Sequence, residues 1–147
     1  MQRPEQFMAS MSIKEKIGQL VQFGKLKEEQ DTLVKNGEIG SFLNIHGAEK
    51  INPLQQKIMK SKNPVPLIIG DDVIHGYKTI FPIPLALSCS WNIRLIEKTC
   101  EISSYEAASE GINMIFAPMV DIARDPRWGR IAEGSGEDPF LGSEIAK

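Results

Sequence analysis

The sequence predicts an α/β fold built on a parallel sheet. Three observations carry that expectation. Short apolar runs at 39–45, 66–70 and 114–120 lack polar alternation, as strands covered on both faces require. Helical patterns separate these runs, an order that fits either a doubly wound sheet or the start of a (β/α)8 barrel. The composition, 41% hydrophobic and 24% charged, is that of a globular chain.

The first element is a helix opened by a capping box. Ser12 and Glu15 stand three apart, so hydroxyl and carboxylate each satisfy an orphaned backbone N–H. Ile13, Ile17, Leu20 and Val21 follow at i, i+4, i+7 and i+8, one apolar face of a 3.6-residue period. A shorter helix is expected over 28–35, stopped by Gly37 as a left-handed cap. The first strand is the run at 39–45.

Asn52-Pro53 reads as an N-cap followed by proline at the first helical position, giving a helix to about Lys62. Pro64 and Pro66 end it ahead of the second strand. A long loop follows, in which Pro82 and Pro84 oppose both a helix and a central strand. Asn92 caps the longest helix, 93–109, with Ile96, Cys100, Ser103 and Ala107 along one face and Gly111 closing it. The third strand is 114–120, and 141–147 reads as the start of another helix.

Charge and cysteine content narrow the function class. Seventeen Lys+Arg against nineteen Asp+Glu leave a net charge of −2, unlike the basic excess of nucleic-acid binders, so no nucleic acid is expected as a partner. No apolar run reaches the roughly 18–20 residues of a membrane span, so no membrane association is expected. The stretch 1–18 has no apolar core of the kind a signal peptide carries, and the composition equally suits a mature secreted chain. Cys89 and Cys100 form neither a CxxC pair nor a Cys/His ligand set and are expected to be ordinary buried or free thiols. No metal or cofactor is expected, since His46 and His75 lack metal-site spacing.

The polar residues concentrate where the strands end. In parallel α/β folds the active site lies beyond the C-terminal strand ends. The second strand runs into Asp71-Asp72, the third into Asp121 and then Arg124-Asp125-Pro126-Arg127-Trp128-Gly129-Arg130, and the first ends at Asn44 near His46. Carboxylates and guanidinium groups on one edge suit a ligand with many hydroxyls, because a carboxylate accepts from two vicinal hydroxyls and an arginine donates a planar fork. Neither G-x-G-x-x-G nor G-x-x-x-x-G-K-[ST] follows any strand, which disfavours a nucleotide.

Structural alternatives stay open for each of these residues. Asp71 and Asp72 also read as caps of the turn after the second strand. Arg124, Asp125, Arg127 and Arg130 also read as a loop-stabilising ion-pair network. Trp128 reads as a packing anchor or as a sugar platform, and His75 as a hydrogen-bonded structural histidine. No partner for His46 can be named from the sequence.

Several motifs in series resemble the N-terminal region of glycoside hydrolase family 3, nearest in kind to its bacterial periplasmic β-glucosidases. They are Glu15-Lys16-Ile17-Gly18-Gln19-Leu20, Gly70-Asp71-Asp72-Val73-Ile74-His75-Gly76, Phe81-Pro82-Ile83-Pro84, Ala117-Pro118-Met119-Val120-Asp121, Asp125-Pro126-Arg127-Trp128-Gly129-Arg130 and Glu133-Gly134-Ser135-Gly136-Glu137-Asp138-Pro139. The resemblance covers residues from about 11 to 147.

It implies the N-terminal part of a (β/α)8 TIM-type barrel, with about three strands present, from an enzyme that removes terminal β-linked glucose by a two-step retaining mechanism. It further implies that Asp72 grips outer hydroxyls of the sugar in the −1 subsite and that Arg130 contacts the same sugar, with Glu137 bracing the Arg130 loop. The implied substrate is a β-glucoside or small oligosaccharide, and the implied location periplasmic or secreted.

One departure shapes the expectation. The nucleophile of such enzymes is an aspartate in a later Ser-Asp motif that these 147 residues lack. The Lys-His pair that also holds the sugar would fall past Lys147, and the acid/base later still. A full barrel takes about 250 residues. The sequence is therefore expected to be a truncated part of the barrel domain, without the barrel remainder and the C-terminal sandwich. It carries no catalytic residue, and the isolated chain is expected to be hydrolytically inactive. The alternative is a non-catalytic sugar-binding fragment, or one that self-associates through open sheet edges. Within the enzyme class, a β-xylosidase parent is the nearest rival.

Overall fold

The computed structural model describes residues 3–147. Met1 and Gln2, part of the N-terminal stretch read above for a signal peptide, lie outside the described residues. Two compact units divide the chain: residues up to Asp71 with Glu110–Met114, and Asp72–Ser109 with Ile115–Lys147.

The first unit holds the sheet. Strands β1 (Gln22–Phe23), β2 (Ser41–Leu43) and β3 (Ile68–Asp71) pair in parallel, with Gln22 opposite Ser41 and Phe42 opposite Ile69. A fourth parallel strand, β4 (Met114–Ile115), completes the order β1-β2-β3-β4. Helices α1 (Pro4–Ser10), α2 (Ile13–Gly18), α3 (Asp31–Asn36) and α4 (Ala48–Ile58) accompany it. Val34, Ile39, Phe42, Ile51, Ile58, Leu67 and Ile69 are fully buried and form its core.

Side-chain amides finish what the short strands leave unpaired. Gln55, from α4, donates to the Leu67 carbonyl at 2.8 Å and accepts from the Leu67 N–H at 2.9 Å. Asn113, just before β4, donates to the same carbonyl at 2.9 Å and accepts from Ile69 N–H at 2.8 Å. Each amide imitates a backbone partner, so the buried start of β3 keeps its polar groups satisfied.

Close backbone approach fixes α2 against the chain entering β2. A Cβ on Gly18 would lie 2.2 Å from the Glu38 carbonyl carbon, and one on Gly40 would lie 2.5 Å from the Gln19 oxygen. Any larger residue at either position forces the backbones apart.

The Ser12–Glu15 capping box forms as the sequence predicts: Glu15 N–H donates to Ser12 Oγ at 3.2 Å, and Ser12 N–H donates to Glu15 Oε2 at 2.6 Å. The Glu15 carboxylate is buried and also accepts from Asn63 Nδ2 at 2.9 Å. That amide, with the Ser12 donors, holds its pKa below the ordinary 4.5. The unfolded chain therefore takes up the proton first as pH falls, and the stabilisation present above about 4.5 is lost on acidification. Urea midpoints are expected to drop between pH 6 and pH 3, and Glu15→Gln is expected to narrow that drop.

The second unit contains α5 (Pro84–Ser88), α6 (Ile93–Ser109), a 3-10 turn (Ile131–Glu133) and α7 (Pro139–Ile145). Asn92 caps α6 through its Oδ1, which accepts from Leu95 N–H at 3.1 Å. The buried stripe of α6 includes Thr99 and Ser103, whose hydroxyls donate to Ile96 and Thr99 carbonyls one turn back, both at 2.7 Å. Small polar residues thereby pack without unpaired atoms.

Several sequence expectations are corrected. Among the described residues there are four strands, not three: β1 is two residues long and carries no readable periodicity. The apolar face expected on the first helix points outward, with Ile13, Ile17 and Leu20 exposed at 70%, 56% and 88%. Helix α4 begins at Ala48 rather than Pro53, because Gly47 at φ 95° is its N-cap and turns the chain into the helix four residues after β2. Pro53 forgoes one helical bond and keeps its ring exposed. Pro84 starts α5 instead of preventing a helix, being at its first position. Cys100 lies off the buried stripe of α6, and it and Cys89 are exposed free thiols. The third predicted strand shortens to Met114–Ile115, since Pro118 has no N–H to extend a ladder.

Candidate active site

The strand ends of the first unit carry Asn44, His46 and Asp71. Asn44 leaves β2 at φ 60° and its N–H donates to the Gly70 carbonyl at 3.0 Å, which ties the loop to β3. His46 Nε2 lies 2.6 Å from Asp71 Oδ2. The histidine that had no nameable partner in the sequence thus has one, and Asp71 orients it.

In the second unit Asp72 is exposed directly after β3, and Val73 follows at φ 51° with its side chain buried. A β-branched residue in left-handed backbone costs about 1–3 kcal/mol, and such strain collects at functional sites. The next loop is braced. His75 Nδ1 lies 3.0 Å from the Phe81 carbonyl, and Phe81 N–H donates back to the His75 carbonyl at 2.8 Å. Glu106 on α6 accepts from the N–H groups of Lys78 and Thr79, both at 2.8 Å, and from Thr79 Oγ1 at 2.6 Å. His75 is the hydrogen-bonded structural residue the sequence allows for, and Glu106 is a loop anchor the sequence did not reveal.

The segment after β4 folds back on itself. Met119 bridges Gly134, and Ala123 N–H donates to the Gly136 carbonyl at 3.0 Å. Between these ties, Asp125 accepts from Arg127 N–H and Nε, both at 2.9 Å, and its Oδ2 lies 2.5 Å from Arg127 Nη2. That pair is internal to the loop. The Arg127 donors hold the Asp125 carboxyl below its usual range.

Arg130 has a different environment. Its Nε donates to both oxygens of Glu133, at 3.1 and 3.2 Å, and its Nη2 donates to Oε2 at 2.7 Å. Glu133 above all, then Asp121 and Asp72, raise the guanidinium pKa, so Arg130 stands in a field of three carboxylates. Asp72 and Arg130 are thereby within electrostatic reach of one another. The brace of Arg130 is Glu133, not Glu137. The three-residue spacing of Arg130 and Glu133 is the signal that identifies it, since such pairs share one side of a helical turn.

Two cavities of the second unit lie apart from Asp72 and Arg130. One of about 630 Å³ is lined mainly by apolar groups, among them Ile96, Ile115 and Met119. Another of about 670 Å³ runs past Arg124, Asp125 and Glu137. Asp72 and Arg130 line neither of these two. Among the described residues no group of three or more His, Cys, Asp or Glu side chains is arranged to hold a metal ion, and no helix is long and apolar enough to cross a membrane.

Residues 12–147 match the model of the glycosyl hydrolase family 3 N-terminal domain. The chain belongs to glycosyl hydrolase family 3. It is 42% identical over 141 residues to a periplasmic β-glucosidase of Salmonella typhimurium, an alignment covering 92% of this chain and 18% of that protein. The structure of a β-glucosidase from Listeria innocua in complex with isofagomine superposes with a TM-score of 0.84 at 38% identity, over 98% of this chain and 22% of that one. A variant of the Listeria enzyme in complex with laminaribiose gives 0.83 at 36%, over 98% and 23%. The chain thus spans about a fifth of the relatives it matches. Its four parallel strands correspond to the N-terminal part of the family-3 barrel domain, which decides between the doubly wound sheet and the barrel.

Proposed function

We propose that this chain is the sugar-gripping part of a family-3 β-glucosidase acting on terminal β-D-glucosyl residues. The observation that carries the reading is the Asp72–Arg130 arrangement: an exposed carboxylate at the end of β3 and a guanidinium whose Nε–Nη2 edge is fixed by Glu133. Fixing that edge leaves the Nη1 hydrogens directed to a ligand. A carboxylate and a pre-oriented guanidinium together suit vicinal hydroxyls. The complexes of the Listeria enzyme with laminaribiose and with glucose support a glucosyl ligand.

In this reading Asp72 accepts from outer hydroxyls of the −1 sugar and Arg130 donates to the same ring. These contacts strengthen as the ring moves toward an oxocarbenium-like transition state, so they contribute to rate as well as to affinity. The nucleophile and acid/base, set about 5–5.5 Å apart in retaining enzymes, come from residues outside these 147. The 147-residue chain alone is then hydrolytically inactive. The protein works in the periplasm or outside the cell, in keeping with the Salmonella relative.

The test is turnover of aryl β-D-glucoside against aryl β-D-xyloside by the full-length protein. A higher kcat/KM on the glucoside is expected. Preference for the xyloside would replace the glucosidase reading with a xylosidase one, and turnover of neither would remove both.

A further inference from the structure

The chain from Val73 to Phe81 passes over a cavity. Val73, Ile74 and Phe81 share the walls of the space of about 630 Å³ with Ile96, Thr99 and Ser103 of α6. On that side the stretch rests on space rather than on close-packed side chains. Yet Val73 stands at φ 51°, a conformation that a β-branched residue keeps only where its surroundings over-determine it.

Hydrogen bonds supply the restraint. The two contacts between His75 and Phe81 tie the ends of the loop. One side chain ties its tip, and both carboxylate oxygens of Glu106 take part. Oε2 accepts from the N–H groups of Lys78 and Thr79, each at 2.8 Å, and Oε1 accepts from Thr79 Oγ1 at 2.6 Å. The Thr79 hydroxyl and then the Thr79 N–H do most to hold that carboxyl below its ordinary 4.5. The acceptor is therefore charged at neutral pH, and its bonds are of the stronger, charge-assisted kind. Tip and base also move together. Gly76 bridges both Ile74 and Ile80, and a Cβ on Gly76 would lie 2.0 Å from the Thr79 carbonyl oxygen.

We propose that Glu106 is a positioning residue for sugar binding: its clamp on the loop tip holds Val73 in left-handed backbone, and so fixes the direction in which the adjoining Asp72 presents its carboxylate. This rests on the family-3 glucosidase reading, in which Asp72 meets the sugar. Without the clamp, Val73 relaxes and the chain turns at its joint with Asp72.

The experiment is steady-state kinetics of the full-length protein on an aryl β-D-glucoside, with tryptic cleavage after Lys78 followed in parallel. Glu106→Ala is expected to lower kcat/KM about 10- to 100-fold, the cost of misplacing a binding group by about 1 Å. In the Asp72→Asn background the same change is expected to cost less than about 3-fold, because the group it positions is already gone. A role in stability alone would lower activity by the same factor in both backgrounds. Glu106→Gln restores most of the loss, since its amide oxygen still accepts from the two N–H groups. Thr79→Val removes one of the three donors at an exposed position and carries the same comparison in a milder variant. Its loss is expected to be smaller and to depend on Asp72 in the same way. Cleavage after Lys78 is expected to speed up in Glu106→Ala and to stay near wild type in Glu106→Gln.

Full activity of Glu106→Ala, unchanged cleavage after Lys78, or equal losses in the two backgrounds overturns this inference and leaves the glucosidase reading standing. A wild-type protein inactive on the glucoside, or an Asp72→Asn variant as active as wild type, overturns that reading and takes this inference with it.

Discussion

Asp72→Asn is expected to lower kcat/KM on a β-glucoside by about 10²- to 10⁴-fold. Replacing the carboxylate by an amide keeps size and shape but removes the charge that two sugar hydroxyls donate to. Hydrogen bonds to a charged group are worth roughly 1.5–3 kcal/mol each, so two amount to about 3–6 kcal/mol, at about 1.4 kcal/mol per tenfold in rate. The loss falls on kcat as well as KM if the contacts strengthen in the transition state, and on KM alone if they bind ground state and transition state equally. Asp72 is exposed, and the thermal midpoint of the variant, measured alongside, separates loss of folding from loss of sugar contacts. The Asp125→Asn variant is the control, because Arg127 holds its carboxylate within its own loop. It is expected to retain most activity.

Phe42→Ala is expected to cost about 3–5 kcal/mol of folding stability. Phe42 is 0% exposed on β2, between β1 and β3, and its ring lies 6.3 Å from that of Phe23. Truncation leaves a cavity in the middle of the sheet that neighbours pinned by backbone pairing cannot fill. Against a total of roughly 5–15 kcal/mol, the loss is a large share. With a slope of about 1–3 kcal/mol per molar, the urea midpoint falls by roughly 1–5 M. Phe42→Leu, which keeps most of the volume, is expected to fall by less. An unchanged midpoint in the alanine variant would mean that β2 is not the centre of the core.

The parts of this fold that were legible in the sequence were those set by local chemistry. Ser12 with Glu15, Gly37 and Asn92 each specify a helix end through bonds to the nearest backbone, and each forms as written. The parallel sheet was legible because β2, β3 and the approach to β4 are continuous apolar runs. Elements set by tertiary context were not. β1 is two residues, too short for a period, and exists because Ser41 N–H and Oγ find the Val21 carbonyl. Helix α4 starts at a glycine whose φ no composition rule announces.

The same division runs through the site. The concentration of Asp71, Asp72, Asp121 and Arg130 at strand ends was visible from order along the chain. Which acid meets which base was not, because that depends on loop closure in space. Arg130 meets Glu133 through a single 3-10 turn, and His46 meets Asp71 only because β2 and β3 are neighbours in register. Glu106 anchors Lys78 and Thr79 from 28 and 27 residues away, a separation that carries no local signal.

The most direct measurement of the central claim is a crystal structure of the full-length protein with glucose bound. The account predicts the Asp72 carboxylate and the Arg130 guanidinium each at about 3 Å from hydroxyls of one sugar ring, with Glu133 still on the Nε–Nη2 edge. A glucose ring bound with neither Asp72 nor Arg130 in hydrogen-bonding reach would contradict it.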